Sequence, residues 1–387
     1  MNINWQTISK ETFLKDYWQK KPILLKNALP NFPSPIAPDE VAGLAMESFI
    51  DSRVITNSDN NWKVAQGPFE DFSQFGERCW SLLVQGVDNW FDSVDELKSM
   101  VNFIPKWRID DVMISFSTPG GGVGPHFDQY DVFIVQGIGK RQWQVGAVNK
   151  EIEHIEAATD LLHVPAFEPI IDATVTNGDI LYIPPFSPHQ GETIESALAY
   201  SIGFRAPSSQ ELLSGIADHI IDQNLGLDRF TDTVINNDTS GFGLSPANIT
   251  QLQKQVLDLV GDKAQFEHYL LTRLTAATRE LNVEPLAERI PADYGNELFN
   301  SEIEIQKVLG VKLAISSDEE NLTLFCDGEN YPLSSQQVEF ANKLISCSSS
   351  ETLILKKHDF CIENSQLITT LINYGYFFIL DEHELQG

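Results

Sequence analysis

Three residues of this chain have types and spacings suited to metal chemistry: His126 and Asp128, two apart, and His189, 63 positions downstream. The pair sits in GGGVGPHFDQYDVFIVQG and the single histidine in GDILYIPPFSPHQG. Two imidazoles and one carboxylate cover one face of a mononuclear non-heme Fe(II) centre and leave the other positions to a co-substrate and O₂. His-x-Asp alone is a common triplet, and buried histidines often do no more than bond a carbonyl. Context strengthens the metal reading. The pair follows a glycine-rich entry and precedes the apolar run Val132 to Val135. The other six histidines (His154, His163, His219, His268, His358 and His383) have no comparable setting.

These ligands need elements to hold them. In an extended strand, residues two apart point to the same side. A strand through 126–128 would turn His126 and Asp128 to one metal and Phe127 away. Asn177-Gly178-Asp179 reads as a tight turn, Ile180 to Ile183 as a short apolar strand, and Pro184-Pro185 as its stop. A histidine just past such a strand can sit at the mouth of a barrel. From about Trp107 to Arg205 the pattern is β-rich, punctuated by Gly and Pro. Gly120, Gly121, Gly122 and Gly124 do not form a phosphate cradle. No Lys-Ser or Lys-Thr follows them, and Pro125-His126 leads towards a strand, not a helix. They read as a flexible loop that lets a substrate backbone approach. The aromatic residues Phe127, Tyr130, Phe133, Trp143 and Phe186 suit either a dry, shaped pocket or barrel core.

Longer stretches carry a family resemblance. WRIDDVMISFSTPGGGVGPHFDQYDVFIVQGIGKRQWQVG, GDILYIPPFSPHQG and YSIGFRAP resemble the bacterial ribosomal oxygenases of the Jumonji-C, or cupin-like, group. Within it they are most similar to the arginine hydroxylases of large-subunit ribosomal protein sixteen. Trp18-Gln19-Lys20-Lys21-Pro22 and DEVAGLAMES (Asp39 to Ser48) fit the same group. The resemblance is strong over residues 1–206 and looser beyond.

It implies a double-stranded β-helix that uses Fe(II), O₂ and 2-oxoglutarate, hydroxylates a protein side chain, and releases succinate and CO₂. The metal ligands carry over to His126, Asp128 and His189. The basic residue that pairs with the distal carboxylate of 2-oxoglutarate carries over to Arg141, and a co-substrate contact to Ser115. Arginine suits this role because its planar, permanently charged fork meets a carboxylate with two bonds. On residues alone, Arg141 reads equally as a solvated strand-end charge. Lys140 would point the opposite way on a strand. A simple hairpin turning at Gly137-Ile138-Gly139 would leave the distance from Arg141 to Asp128 open.

Composition bounds the rest. A chain of 387 residues calls for two or three domains. Its 26 basic and 55 acidic residues give a net charge of −29, unlike a nucleic-acid binder. Such a surface speeds encounter with a strongly basic partner, which a ribosomal protein is, although acidity also serves solubility alone. Cys79, Cys326, Cys347 and Cys361 show no CxxC or zinc spacing, as expected in a reducing compartment. MNINWQTISK has no signal-peptide pattern, and no run approaches the roughly 18 apolar residues of a membrane span. A soluble, cytoplasmic protein is expected.

The expected fold class is multi-domain α+β: residues 1–206 a Jumonji-C/cupin catalytic domain with N-terminal helices, 207–290 a helical region, and 291–387 a small α/β unit. Residues 1–100 read as mixed and largely helical, with Ser9 as an N-cap and helices at Asp39 to Met46 and Leu82 to Phe91. Ser208 and Glu211 form a capping box ahead of Leu212, Leu213, Ile216 and Ile220. A polar loop from Asp232 to Ser245 precedes helices at Pro246 to Val260 and Phe266 to Leu281. The resembling family dimerises through this region, which implies a homodimer. In the tail, strands at 311–316, 322–326, 351–356 and 376–380 alternate with helices at 334–345 and 364–374. That order suits the winged-helix-like domain the family carries, without a basic face for DNA. Two other functions fit the same sequence: a ribosomal-protein histidine hydroxylase of this fold, and a non-catalytic cupin-like metal-binding module.

Overall fold

The computed structural model describes residues 1–387 except 7, 59–60, 153–162, 233–243, 292–301, 318–320 and 381–387. His154, His383 and most of the expected loop between Asp232 and Ser245 lie outside the described residues. Nine antiparallel strands build the N-terminal half: β1 (Ile23–Leu25), β2 (Ser52–Ser58), β3 (Asn61–Gln66), β4 (Trp80–Val84), β5 (Ile109–Ser117), β6 (Val132–Gly146), β7 (Pro169–Val175), β8 (Ile180–Ile183) and β9 (His189–Phe204). Their order is β1-β8-β6-β9-β5-β4-β2-β3, with β7 also paired to β6. The long strands β6 and β9 pair along most of their length and form the spine.

Four of these strands, β1 to β4, correct the expectation of a mixed, largely helical segment over residues 1–100. β2 and β3 form a hairpin that extends the sheet, and β4 lies where a helix was expected from Leu82. All five residues of β4 are buried, because β2 and β5 flank it and both its faces are covered. A strand buried on both faces is a continuous apolar run, and periodicity cannot tell it from a helix. Gly86, with φ +62°, ends the run.

Helices close one face of the sheet. In α1 (Lys10–Asp16) the Ser9 side chain accepts from the Thr12 N–H, capping the first turn. Phe13 on α1 is wholly buried, with its ring 5.4 Å from that of Phe133 and 4.9 Å from that of Tyr182. A side chain of this size contributes roughly 1.5–3 kcal/mol on burial. α2 (Pro38–Leu44) and the short α3 (Asp92–Asp95) complete the layer.

Strand β6 does not turn at Gly137-Ile138-Gly139, as a simple hairpin would. It continues through them with register shifts against β9, and Gly139 takes φ +71°. A Cβ on Gly139 would overlap the Ser196 carbonyl. The irregularity resets the side-chain parity of the strand. Val132 and Ile134 face the barrel cavity before it, and Arg141 and Trp143 face the cavity after it. A regular strand keeps one parity throughout.

Beyond the barrel, α4 (Ser209–Asp222), α5 (Pro246–Val260) and α6 (Lys263–Thr275) follow in sequence. Ser208 and Glu211 form the capping box of α4, Ser245 caps α5, and Asp262 caps α6. α6 stops at Thr275, short of the expected Leu281, and Ala277 N–H donates to Asp327 Oδ1. Ile216, Ile220 and Tyr269 form a small core here. Among the described residues, the C-terminal segment holds two three-stranded antiparallel sheets and two further helices, α7 (Val338–Ser346) and α8 (Ile362–Asn373), around a separate core that includes Ile305, Leu344, Leu355 and Ile368. Among the described residues no helix is long and apolar enough to cross a membrane, and all four cysteines are free.

Candidate metal centre and co-substrate cavity

His126 and Asp128 do not lie on a regular strand. The segment between β5 and β6 is a loop in which His126 makes two single-residue bridges, one to His189 and one to His163. His126 and His189 exchange backbone bonds of 3.0 and 2.8 Å, which sets the loop against the start of β9. Asp131 anchors the far end of the loop. It is fully buried and accepts from the Tyr182 hydroxyl (2.6 Å) and Gln19 Nε2 (3.1 Å).

These constraints bring one ligand atom each of His126, Asp128 and His189 within 4.8 Å of one another. The imidazole rings stand 4.2 Å apart, and His189 Nε2 lies 3.6 Å from Asp128 Oδ2. His126 Nδ1 is 2.9 Å from the Gly124 carbonyl and His189 Nδ1 is 2.9 Å from the Ser187 carbonyl. A carbonyl only accepts, so both Nδ1 atoms carry the proton and Nε2 is the nitrogen each ring presents to a metal. Burial, then the neighbouring His189, hold His126 down to about 4, so it is neutral at pH 7. Two imidazoles with oriented Nδ1–H groups and one carboxylate are the donor set for a divalent first-row metal with open positions.

Arg141 comes from the second half of β6, paired with Thr193 on β9 and Val175 on β7. It is 5 % exposed. Its Nε donates to Thr193 Oγ1 (3.2 Å), one terminal nitrogen to Ser115 Oγ (3.2 Å), and the other to Ser117 Oγ. Ser115 and Ser117 share a face of β5, two residues apart. Lys140 points outward and pairs with Glu195 at 2.7 Å. Arg141 has no carboxylate partner among the described residues, and burial pulls its guanidinium down to about 10. A buried cation ringed by neutral hydroxyls is under-compensated, and a carboxylate ligand would complete it.

The triad, Arg141 and Ser115 line one cavity of about 1130 Å³, which extends towards α4 and α6. Of the five aromatic candidates, Tyr130 and Trp143 line the cavity. Phe133 packs in the core against α1, and Phe127 packs on Phe186 with ring centres 5.8 Å apart. The glycine loop packs closely on the barrel itself. A Cβ on Gly121 would overlap the Trp80 carbonyl, and one on Gly122 the Gly191 carbonyl. Residue-by-residue reading missed Ser117, Thr193 and Asp111. Ser117 had a signal, its two-residue spacing from Ser115. Thr193 and Asp111 had none, because cross-strand register and burial decide their place. Asp111 lines the cavity beside Arg279 Nε (3.3 Å), and burial pushes its carboxyl up to about 6.

Residues 96–212 match the family model of the JmjC domain. The chain is 44 % identical over 285 residues to the Escherichia coli ribosomal protein uL16 3-hydroxylase, covering 74 % of this chain and 75 % of that protein. The crystal structure of E. coli ycfD superposes with a TM-score of 0.88 at 37 % identity, covering 98 % of this chain and all of that one (100 %). YcfD, described as a ribosomal oxygenase, has also been solved with cobalt and 2-oxoglutarate; that structure matches with a TM-score of 0.85 at 36 % identity, covering 97 % and 99 % of the two chains. This chain belongs to the JmjC-domain ribosomal oxygenases.

Proposed function

We propose that this protein is an Fe(II)- and 2-oxoglutarate-dependent hydroxylase that adds a hydroxyl to an arginine side chain of a large-subunit ribosomal protein. The observation that carries the reading is one cavity holding both a two-histidine, single-carboxylate triad and a buried arginine with no carboxylate partner among the described residues. His126, Asp128 and His189 would hold the metal. When bound, it provides the site where O₂ and 2-oxoglutarate react to oxidise an unactivated C–H bond. The reaction balances as R–H, O₂ and 2-oxoglutarate giving R–OH, succinate and CO₂. Arg141 would take the distal carboxylate of 2-oxoglutarate in a two-bond fork, and Ser115 would give that carboxylate a hydroxyl contact. Val132, Ile134 and Trp143 form an apolar wall that keeps water from the reacting atoms.

The similarity to a uL16 3-hydroxylase favours a ribosomal target. Carboxylates of Asp110 and Asp111 and the apolar surfaces of Met113 and Tyr130 line the cavity and suit a long cationic side chain. The net charge of −29 suits a basic protein partner and disfavours direct nucleic-acid binding. A ribosomal partner places the reaction in the cytoplasm. We assign residues 1–206 to catalysis, 207–290 to homodimer formation and 291–387 to a winged-helix-like unit. Support for the dimer comes from exposed apolar residues on the helices, including Leu213 and Ile221 on α4 and Ile249 and Val256 on α5.

The test is mass spectrometry of unmodified large-subunit ribosomal proteins incubated with enzyme, Fe(II), 2-oxoglutarate and O₂, with His189→Ala as control. One added oxygen on an arginine, absent in the control, is expected. An added oxygen on histidine would reassign the specificity. Co-substrate consumption without any protein modification would refute the ribosomal substrate.

A further inference from the structure

The loop that carries His126 is held from two sides. Toward β9 it bonds to the main chain: Gly120 N–H donates to Thr193 O, Thr193 N–H to Gly121 O, and His126 exchanges bonds with His189. On the other side stands His163, 7 % exposed, whose backbone bridges His126. His163 Nε2 lies 3.0 Å from the Val123 carbonyl, and Val164 N–H donates to Pro125 O at 3.0 Å. These two bonds close around Gly124.

Gly124 is the pivot. Its carbonyl accepts from His126 Nδ1, so the position of this peptide sets where His126 Nε2 points. Gly124 has φ +81°, and a Cβ there would fall 3.0–3.1 Å from the Trp62 ring and 3.3 Å from His163 Nε2. The residue is therefore seated between the two side chains, whose rings stand 6.0 Å apart. Trp62 belongs to β3, at the sheet edge, and reaches the metal loop through this contact. His189 is held differently: its Nδ1 donates to Ser187 O, two residues back in the short β8–β9 connection, which Gly146 holds through Ser187 Oγ and Pro188 O.

We propose that His163, backed by Trp62, is a positioning residue: its Nε2–H holds the Val123–Gly124 peptide so that the Gly124 carbonyl aims His126 at the metal. The inference rests on the triad being the metal site. A side chain that only fills space needs volume. This role needs a donor at one atom, which makes the two separable.

The experiment uses the full-length protein and Co(II), titrated by its visible absorption, with apo melting temperature recorded alongside. His163→Leu removes the donor, and His163→Gln places an amide N–H at the same bond count from the backbone. The leucine variant is expected to bind Co(II) 10- to 100-fold more weakly. Its melting temperature should stay near wild type, and the glutamine variant should recover most of the affinity. Wild-type affinity in His163→Leu would overturn the proposal, as would equal weakening in both variants accompanied by a fall in melting temperature. If His163→Leu does not fold, Trp62→Leu substitutes for it: weakened Co(II) binding supports the clamp and unchanged binding overturns it. His189→Ala tests the metal site separately, since Co(II) binding that survives there would refute the triad and not the clamp.

Discussion

Replacing Arg141 by methionine should separate co-substrate binding from stability. Methionine keeps the apolar volume of the stem and removes the charge. In the protein, the guanidinium's pKa falls from the ordinary 12.5 to about 10, through burial alone. That drop corresponds to roughly 3 kcal/mol of unfavourable burial of the charge. The hydroxyls of Ser115, Ser117 and Thr193, at about 1 kcal/mol each, offset a similar amount. Removing charge and hydrogen bonds together should leave apo stability close to unchanged. A bound carboxylate, by contrast, gains charge-assisted bonds and relieves the buried charge. Its loss should weaken 2-oxoglutarate binding by about 3 kcal/mol, on the order of 100-fold. Arg141→Lys should regain little, because a point charge does not reproduce the planar fork. Calorimetric titration of 2-oxoglutarate into Co(II)-loaded protein, with thermal melts of the apo form, reads both quantities. If Arg141→Met melts more than about 5 °C lower while binding 2-oxoglutarate normally, the residue is structural and the reasoning fails.

Three further outcomes follow from the geometry. Gly122→Ala drives a Cβ into the Gly191 carbonyl, which is backbone and cannot swing away; it should cost about 2 kcal/mol or more and weaken Co(II) binding, and wild-type values for both would show that the loop yields freely. Asp111 has a folded pKa raised to about 6 from 3.8, mainly by burial, with Arg279 the leading opposing influence. The folded chain therefore holds this proton more tightly than the unfolded one, and stability falls as pH rises from about 4 through 6. Removing Arg279 pushes the pKa higher still, so Arg279→Ala should lose about 1–3 kcal/mol at pH 8 and less at pH 5 in denaturant titrations; equal losses at both pH values would uncouple the pair. Ile249→Asp combined with Val256→Asp, at positions 52 % and 59 % exposed on α5, should yield monomers by light scattering with little change in melting temperature; persistent dimers would place the interface elsewhere.

Much was legible in the residues because it depends on local chemistry. The His126–Asp128 spacing, the Pro184-Pro185 stop before His189 and the capping box at Ser208 and Glu211 need only neighbours in sequence to be read. The helix over Pro246–Val260 likewise follows from its own caps and period. Long-range pairing decided the rest. Sequence alone allowed β4 to be helical, because burial on both faces erases the periodic signal. It left Arg141 open between surface charge and cavity cation, because the answer depends on the irregularity at Gly137–Gly139 that resets strand parity. It passed over His163, since nothing near that residue in the chain reveals that Val123 and Trp62 close around it. Local chemistry marked the three residues that could bind a metal, and the family resemblance marked Arg141 and Ser115. Register and burial, which are set only when distant strands pair, decided how those residues are aimed.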